Sequence, residues 1–184
     1  NSGADCYMTD LEDSLTPTFD NLMVGQLNIK NAISKKIDFI DKESGKEYKL
    51  DKKTAVLIIR PRGLHLDEKN VKVNEERLSG TFFDLGLALF HNAKKLIENG
   101  SGPYFYLPKL EHYLECRMLN DVITFCEKKL GLEIGTVKVT VLIETINAVF
   151  QMDEFLWELK DHIVGLNAGR WDYLFSYQKV YRNT

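Results

Sequence analysis

The stretch that decides the fold lies near the end of the chain, where residues 160–175 read KDHIVGLNAGRWDYLF. An apolar strand that we place from Gly165 leads into a second glycine, a tryptophan and the acidic residue Asp172. Glycine allows a backbone to come close to a ligand. An aspartate at such a turn can hold a cation beside N–H groups that face an anion. A solvated aspartate at an ordinary turn is the alternative interpretation.

Four earlier segments share this organisation, in which a short apolar run leads into a polar one. They are residues 4–8, 55–59, 104–107 and 137–143. Continuous apolar runs rich in β-branched and aromatic residues are typical of strands buried on both faces of a parallel sheet. Strands that alternate with helical stretches predict the parallel α/β class.

Apolar residues at helical spacing predict three helices between these strands, and we expect each stripe to face the core. The stripes are Phe83, Leu87, Phe90, Ala93 and Ile97; Leu114, Met118, Val122 and Phe125; and Val149, Met152, Phe155, Leu156 and Leu159. An earlier helix is predicted from Pro17 to about Ser34. Residues 37–50, with a Ser-Gly pair at their centre, predict a surface hairpin.

The polar residues that follow the predicted strands separate two possible architectures. They are Asp10, Glu12 and Asp13, then Arg60 and Arg62, then Lys109, Glu144 and Asp172. A (β/α)8 barrel collects its chemistry from the carboxyl ends of several strands, whereas an open doubly wound sheet concentrates it near one switch point. The sequence therefore favours a TIM barrel. Because only about five strands are visible, we predict that residues 1–184 are an incomplete TIM-barrel catalytic domain of a longer enzyme.

Composition and charge limit the kinds of molecule that we expect the chain to bind. The chain has 184 residues, of which 44% are hydrophobic and 28% are charged, and its net charge is −3. These values are ordinary for a soluble globular domain. Without a dominant basic block we expect no nucleic-acid partner, and without a long apolar run we expect no membrane span. Cys6, Cys116 and Cys126 lack metal-binding spacing, so we expect buried free thiols in a reducing compartment.

Motifs of several other enzyme classes are absent from the sequence, among them GxGxxG, GxxxxGK[ST], GxSxG and HExxH. The four histidines are scattered, and we expect them to be surface or satisfied core residues rather than ligands; they are His65, His91, His112 and His162.

The remaining chemistry is a set of carboxylates with one arginine. Glu144 and Asp172 follow successive strands, so they can converge on one cation, and two carboxylates with water and substrate oxygens are a usual Mg²⁺ site. Arg60 ends another strand, where it could stabilise a developing oxyanion. Asp10 and Glu12 lie two residues apart, so they point the same way on a strand and could support the metal ligands from outside. Taken singly, each could also be a solvated loop charge.

At these residues the chain resembles the malate synthases, in the shorter form that lacks the large inserted domain. Besides residues 160–175, the resemblance includes TDLEDS at 9–14, RPRGLHL at 60–66, FHNAKK at 90–95, GPYFYLPK at 102–109 and VLIET at 141–145. The resemblance covers essentially the whole chain.

The resemblance implies a fold, an activity and a cofactor. The family joins acetyl-CoA to glyoxylate and hydrolyses the thioester to give malate and CoA, on a (β/α)8 barrel with added terminal domains. By motif, Glu144 and Asp172 correspond to the Mg²⁺ ligands. Arg60 corresponds to the arginine that stabilises the enolate and contacts glyoxylate.

The same resemblance implies supporting roles for other residues. Asp10 and Glu12 correspond to carboxylates near the water molecules on the metal. The backbone around Gly169, Arg170 and Trp171 corresponds to the pocket for the glyoxylate carboxylate. Relatives suggest a cytoplasmic location, or a glyoxysome or peroxisome if the source is a eukaryote.

One departure from the family pattern affects the function. The general base of the family is an aspartate in a C-terminal domain, well beyond the motif at 160–175, and no residue here matches it. We therefore expect the chain by itself to be inactive. The alternatives are a truncated remnant that binds Mg²⁺ without turnover, or a related barrel lyase that cleaves malyl or citryl thioesters; the GLNxGxWDY form of the motif argues against the lyase.

Overall fold

The computed structural model describes residues 3–183. Its helices and strands follow in this order: β1 (Cys6–Asp10), α1 (Phe19–Ile33), β2 (Asp38–Ile40), β3 (Glu47–Lys49), β4 (Val56–Arg60), β5 (Asp67–Val73), β6 (Glu76–Ser79), α2 (Gly80–Glu98), β7 (Tyr104–Leu107), α3 (Tyr113–Leu130), β8 (Lys138–Ile143), α4 (Ile146–Val149), α5 (Met152–Glu158), β9 (Ile163–Ala168) and α6 (Arg170–Tyr181).

The main sheet has five parallel strands in the order β1-β4-β7-β8-β9. Each strand pairs with the next main-sheet strand along the chain, so that Asp10 lies beside Arg60 and Leu107 beside Val141. Across residues 3–183 the strand order never reverses, and a sheet of this kind offers no switch point between strands. One-way winding is the arrangement of a (β/α)8 barrel, so the predicted fold class, a partial barrel, is confirmed.

The core lies between the central strands and the helices that cover them. Phe105 and Leu107 on β7 and Val139 and Val141 on β8 are all buried against this layer. Burying a side chain of this size stabilises a fold by about 1.5–3 kcal/mol. The alternate residues of these strands point to the other face of the sheet.

The two outer strands depart from the predicted burial on both faces. Tyr7 on β1 is 64% exposed and Val164 on β9 is 65% exposed. The predicted start of the fifth strand was also wrong, because β9 begins at Ile163 and ends at Ala168. Asp172 consequently lies in the first turn of α6 rather than at the end of the strand.

Helix α2 buries a different face from the one that its apolar stripe predicted. Of the five stripe residues only Ala93 is buried, and Phe90 is 71% exposed. The buried face combines apolar residues with Asp84 and Asn92, whose side chains hydrogen-bond to Arg62 and to the Ala88 carbonyl. Because these polar side chains are satisfied internally, hydrophobicity alone indicated the wrong face.

The apolar stripe also predicted the wrong buried face for helix α3. Leu114, Met118 and Phe125 of its predicted stripe are exposed. The face that is buried consists of Cys116, Leu119, Ile123 and Glu127. The last predicted helix is two short helices, α4 and α5. Phe155 in α5 and Leu159 directly after it are buried, while Met152 and Leu156 are exposed.

Two hairpins lie outside the main sheet. The predicted hairpin at 37–50 corresponds to β2 and β3, which pair antiparallel. The second hairpin, β5 and β6, was not predicted. It turns at Asn74 and Glu75, which both have positive φ, 51° and 67°. Asparagine tolerates this conformation, but glutamate is uncommon there, so the usual glycine signal of a hairpin turn is missing.

A buried ion network fixes the loop that follows β4. Arg62 donates to both carboxylate oxygens of Asp84 at 2.9 Å and to Glu68 at 3.0 Å. All three side chains are almost fully buried. The network ties the end of β4 to α2 and to the β5–β6 hairpin.

The histidines and cysteines lie partly where the sequence predicted. His162 is a satisfied core residue, as predicted: its Nδ1 lies 2.8 Å from Asn120 Oδ1 and its Nε2 3.0 Å from Glu127 Oε2. The other three histidines are exposed. The three cysteines are free, but only Cys116 is buried and Cys6 is exposed, so the predicted burial was wrong for Cys6. The edge position of β1 explains that exposure.

Of the helices within residues 3–183, none combines the length and apolar character that crossing a membrane requires.

Candidate metal and active site

The carboxyl ends of the five parallel strands bring charged side chains to one edge of the sheet. Asp10 ends β1 and Arg60 ends β4, while Lys109 lies two residues beyond β7. Glu144 follows β8 directly, and Asp172 lies in the first turn of the helix after β9. Hydrogen bonds and ion pairs connect these residues into one cluster. The predicted site residues on different strands therefore meet in space.

Arg60 is held by a two-pronged contact with Asp10. Its Nε lies 2.8 Å from Asp10 Oδ1, and its Nη2 lies 2.5 Å from Asp10 Oδ2. Burial alone would raise the pKa of Asp10, but hydrogen bonds from Arg60, Ser14 and the Glu12 backbone outweigh it and hold that pKa well below its usual range. Asp10 is thus a permanent anion that fixes the plane of the guanidinium.

Glu12 is a buried carboxylate with incomplete hydrogen bonding. Lys109 Nζ lies 2.8 Å from its Oε1 and Arg60 Nη1 lies 3.4 Å from its Oε2. Within the described residues neither oxygen has a hydrogen bond of good geometry, although both are buried. Burial raises the pKa of Glu12, and the charge of Lys109 offsets this only in part. Such a group is suited to accept hydrogen bonds from water or from a ligand.

Lys109 is a residue of the cluster to which the sequence analysis gave no role. Its backbone N–H donates to Glu144 Oε1 at 2.7 Å. Its ammonium also lies 3.3 Å from Asp172 Oδ2 and 3.5 Å from Asp13 Oδ2. Burial would lower the pKa of Lys109, but its contact with Glu12 outweighs burial and raises it, so the side chain is charged. The sequence signal for a role of Lys109 was its place directly after the proline that follows the apolar run of β7.

Glu144 and Asp172 form a carboxyl pair beside Lys109, which contacts the first through its N–H and the second through its ammonium. Burial, and then the hydrogen bond with Asp172, raise the pKa of Glu144 to about 8. The same hydrogen bond lowers the pKa of Asp172. At neutral pH the pair therefore holds one proton, which Glu144 retains more strongly than Asp172. A nearby cation favours the ionised form of two carboxyl groups that lie this close together.

The donor set fits magnesium. Within residues 3–183, no three His, Cys, Asp or Glu side chains are grouped as a ready-made metal site. The side chains that could hold a metal are the pair Glu144 and Asp172, which meet beside Lys109. Mg²⁺ commonly takes one or two carboxylates and fills its other positions with water and substrate oxygens. The buried, underbonded Glu12 beside this pair could hold such water molecules in place.

Gly169 allows the turn between β9 and α6 to pack against the site. A Cβ at this position would lie 2.7 Å from Glu144 Cβ and 3.0 Å from Leu142 Cδ1. Its N–H donates to the Ile143 carbonyl at 2.9 Å, which closes the turn onto β8. Glycine is thus required here by the close approach of Glu144 rather than by an unusual φ.

Arg170 and Trp171 lie at the start of α6. Their side chains are exposed, and the Arg170 guanidinium lies over the Trp171 ring at 4.9 Å. Helix α6 begins at Arg170, and the first N–H groups of a helix have no partner within it. These groups and the helix dipole favour an anion near Asp172.

A second polar contact spans the opposite face of the sheet from the helices. Asn167 on β9 donates to the Tyr106 hydroxyl on β7 at 2.5 Å. Burial raises the pKa of that hydroxyl. Because Phe105 and Leu107 face the helices, Tyr106 points to the inner side of the barrel. The sequence analysis did not select this pair.

These features define the class of the domain: a partial (β/α)8 barrel with a cluster of acidic and basic side chains at the carboxyl ends of its strands. Residues 56–184, more than two thirds of the chain, match the family model described as malate synthase, TIM barrel domain. The chain belongs to the malate synthase family.

Comparisons with individual proteins agree with this assignment. A bifunctional glyoxylate cycle protein of Caenorhabditis elegans is 52% identical over 183 residues, which are 100% of this chain and 19% of that protein. A glyoxysomal malate synthase of Cucurbita maxima is 50% identical over 185 residues, which are 99% of this chain and 33% of that protein. This chain therefore spans about a third or less of these relatives.

A solved structure with a similar fold is the magnesium/glyoxylate complex of Haloferax volcanii malate synthase. Its TM-score is 0.64 at 17% sequence identity, and the match covers 95% of this chain and 44% of that one. At this identity the likeness shows the fold alone.

Proposed function

We propose that the protein carrying this chain is a malate synthase that condenses acetyl-CoA with glyoxylate and hydrolyses the thioester, giving malate and CoA in a Mg²⁺-dependent reaction. The observation that carries the proposal is the carboxyl pair Glu144 and Asp172 beside the fixed guanidinium of Arg60. We place the protein in the cytoplasm, or in a glyoxysome if its source is a eukaryote, since the Cucurbita relative is glyoxysomal.

Glu144 and Asp172 would hold the metal. When bound, Mg²⁺ supplies a Lewis acid that polarises the aldehyde of glyoxylate. Glu144 must lose its proton to become a ligand, and Asp172, whose pKa is lowered, is already ionised. Glu12 and Asp10 accept hydrogen bonds from neighbouring water and keep it oriented.

Arg60 would stabilise the negative charge that develops on oxygen during the condensation. Because Asp10 fixes its guanidinium plane, the group needs little reorganisation when that charge appears. The backbone N–H groups at the start of α6 would bind the carboxylate of glyoxylate, next to Gly169. The aldehyde would then lie between the carboxyl pair and Arg60.

The base that removes the acetyl proton is assigned outside the described residues. Asp10 and Glu12 are ion-paired with Arg60 and Lys109, and Asp172 is paired with Lys109. Glu144 carries a proton at neutral pH. None of these carboxyl groups has the free, ionised state that a general base needs.

The test uses the complete protein and two carboxyl variants with matched controls. CoA release from acetyl-CoA is followed with glyoxylate and Mg²⁺, and Mn²⁺ binding is measured separately. Glu144→Gln and Asp172→Asn keep the shape of each side chain but remove a ligand charge, and each should abolish metal binding and turnover while the fold persists. The exposed residues Glu133 and Asp161, changed to Gln and Asn, should leave both unaffected. Unchanged metal affinity in the first two variants would contradict the assignment.

A further inference from the structure

Lys109 lies at the centre of the acidic cluster. Its ammonium is within 3.5 Å of three carboxylates, those of Glu12, Asp172 and Asp13. Its backbone N–H holds a fourth, that of Glu144. One residue thus contacts both carboxyl groups of the proposed metal pair, through two different parts of its structure.

The backbone of Lys109 is fixed in an unusual conformation. Its φ is 55°, in the left-handed region that non-glycine residues rarely adopt. The following residue, Leu110, is buried, and its carbonyl accepts a hydrogen bond from Thr145 Oγ1 at 2.8 Å. This conformation lets the N–H point to Glu144 while the side chain reaches Glu12 and Asp172. Strained backbone that the surroundings hold in place is concentrated at functional sites.

The two parts of Lys109 differ in mobility. The main chain is anchored through its own N–H and through Leu110. The ammonium is carried on a flexible four-carbon stem, so it can move among carboxylates at little cost. It is close to Glu12 at 2.8 Å and more distant from Asp172 at 3.3 Å. Asp172 is therefore the contact that is more easily given up.

We propose that Lys109 is a positioning residue that acts as an internal cation: its ammonium holds Asp172 and Glu12 in the cluster, and it releases Asp172 when a divalent cation binds there. The inference rests on the proposed function, since it takes Glu144 and Asp172 to be the metal pair. The released ammonium remains on Glu12, and the backbone contact continues to orient Glu144.

The consequence is a site whose affinity for metal is restrained. The ammonium competes for Asp172 and repels a divalent ion at short range. Removing the charge should therefore tighten metal binding, whereas a residue with only a structural role would weaken it when lost. Turnover should fall in the same variant, because Glu12 and Asp172 lose the group that orients them.

The experiment measures Mn²⁺ and Mg²⁺ affinity of the complete protein by calorimetry, without substrate. Lys109→Met should bind metal about tenfold more tightly, and Lys109→Arg, which keeps the charge, should bind within about twofold of the wild type. Lys128→Met removes an exposed lysine at the other end of α3 and should also leave the affinity unchanged. Unchanged or weaker binding by Lys109→Met overturns the inference.

A second measurement needs no variant, so it decides the matter even if Lys109→Met does not fold. An amine-reactive reagent labels the wild-type protein with and without Mg²⁺, and peptide mass spectrometry reads out each lysine. Labelling of Lys109 should rise at least about threefold with Mg²⁺, while Lys128 serves as the internal control. Unchanged or lower labelling of Lys109 overturns the inference. If the wild type releases CoA normally while these results fail, the proposed function stands and only the inference is lost; if the wild type binds no divalent metal, both are lost.

Discussion

Gly169→Ala is the sharpest test of how the turn after β9 shapes the site. The added Cβ would lie 2.7 Å from Glu144 Cβ, about 0.7 Å short of the 3.4 Å at which ordinary contacts begin. The opposing atom is next to the backbone of Glu144 and cannot swing away as the end of a long side chain could. Either the turn or the end of β8 must therefore move.

The size of the effect follows from this displacement. Overpacking of a close contact costs about 1–3 kcal/mol, while replacing glycine reduces the freedom of the unfolded chain and returns about 0.4–1 kcal/mol. We expect the free energy of unfolding to fall by about 1–2 kcal/mol. Metal ligands tolerate about 0.2 Å of misplacement, so a shift of about 0.7 Å between Glu144 and Asp172 should weaken Mn²⁺ binding at least about tenfold.

Gly165→Ala is the matched control, on the strand β9 that precedes this turn. A Cβ at Gly165 meets nothing within 4 Å, so this variant should be as stable as the wild type or slightly more so and should bind metal normally. The measurements are urea unfolding and Mn²⁺ titration of both variants in the complete protein. If Gly169→Ala behaves like Gly165→Ala in both, the close packing of the turn on Glu144 does not determine the site, and the reasoning is refuted.

Three further outcomes are expected. Arg60→Lys keeps the charge but loses the planar fork that Asp10 holds, so kcat should fall by about 10²–10³-fold in the CoA-release assay; an unchanged kcat would remove Arg60 from the chemistry. Because the pKa of Glu144 is about 8 and metal binding requires its ionised form, Mg²⁺ affinity should rise by about tenfold per pH unit up to about pH 8 and then level off; calorimetry that shows no such dependence between pH 6 and 8 would contradict the protonated pair. Asp84→Asn leaves Arg62 without its main counter-charge in a buried position and should destabilise the fold by about 3–5 kcal/mol in urea unfolding; a loss below about 1 kcal/mol would mean that the network is solvated.

The parts of the fold that the sequence predicted are those with one dominant physical signal. Residues 104–107 are a short apolar run between polar segments, and β7 occupies the same four residues. Gly131 ends α3 in the left-handed conformation that glycine favours, near the predicted end. Successive strands with charged ends predicted correctly that Glu144 and Asp172 would be brought together.

The buried faces of the helices could not be predicted because hydrophobicity and burial disagree at several of their positions. Phe90 and Phe125 are large and apolar but exposed, while Asp84 and Glu127 are charged but fully buried. The buried acids are stabilised by partners outside their own helices, Arg62 for Asp84 and the Val137 N–H for Glu127. Hydrophobic periodicity carries no information about either partner, so it predicts the buried face of each helix from hydrophobicity alone.

Part of the site was likewise beyond the sequence. The position of Lys109 depends on a left-handed φ at a residue that is neither glycine nor asparagine, so the residue type gives no signal of that conformation. The requirement for glycine at 169 depends on how closely β8 approaches, which is a tertiary distance. Motif spacing predicted which carboxylates would meet at this edge of the sheet, but the contacts that orient them appear only in three dimensions.

The charges of the cluster fit the divalent-cation site that we propose better than a self-contained salt-bridge network. Within the described residues, two cationic side chains, Arg60 and Lys109, lie among five carboxylates, which leaves an excess of three negative charges. The proton on Glu144 lowers that excess to two. A salt-bridge network built for stability alone would balance its charges, because unpaired buried charge is costly. Binding one divalent ion would release that proton and leave the cluster with an excess of one negative charge, compared with two in its absence.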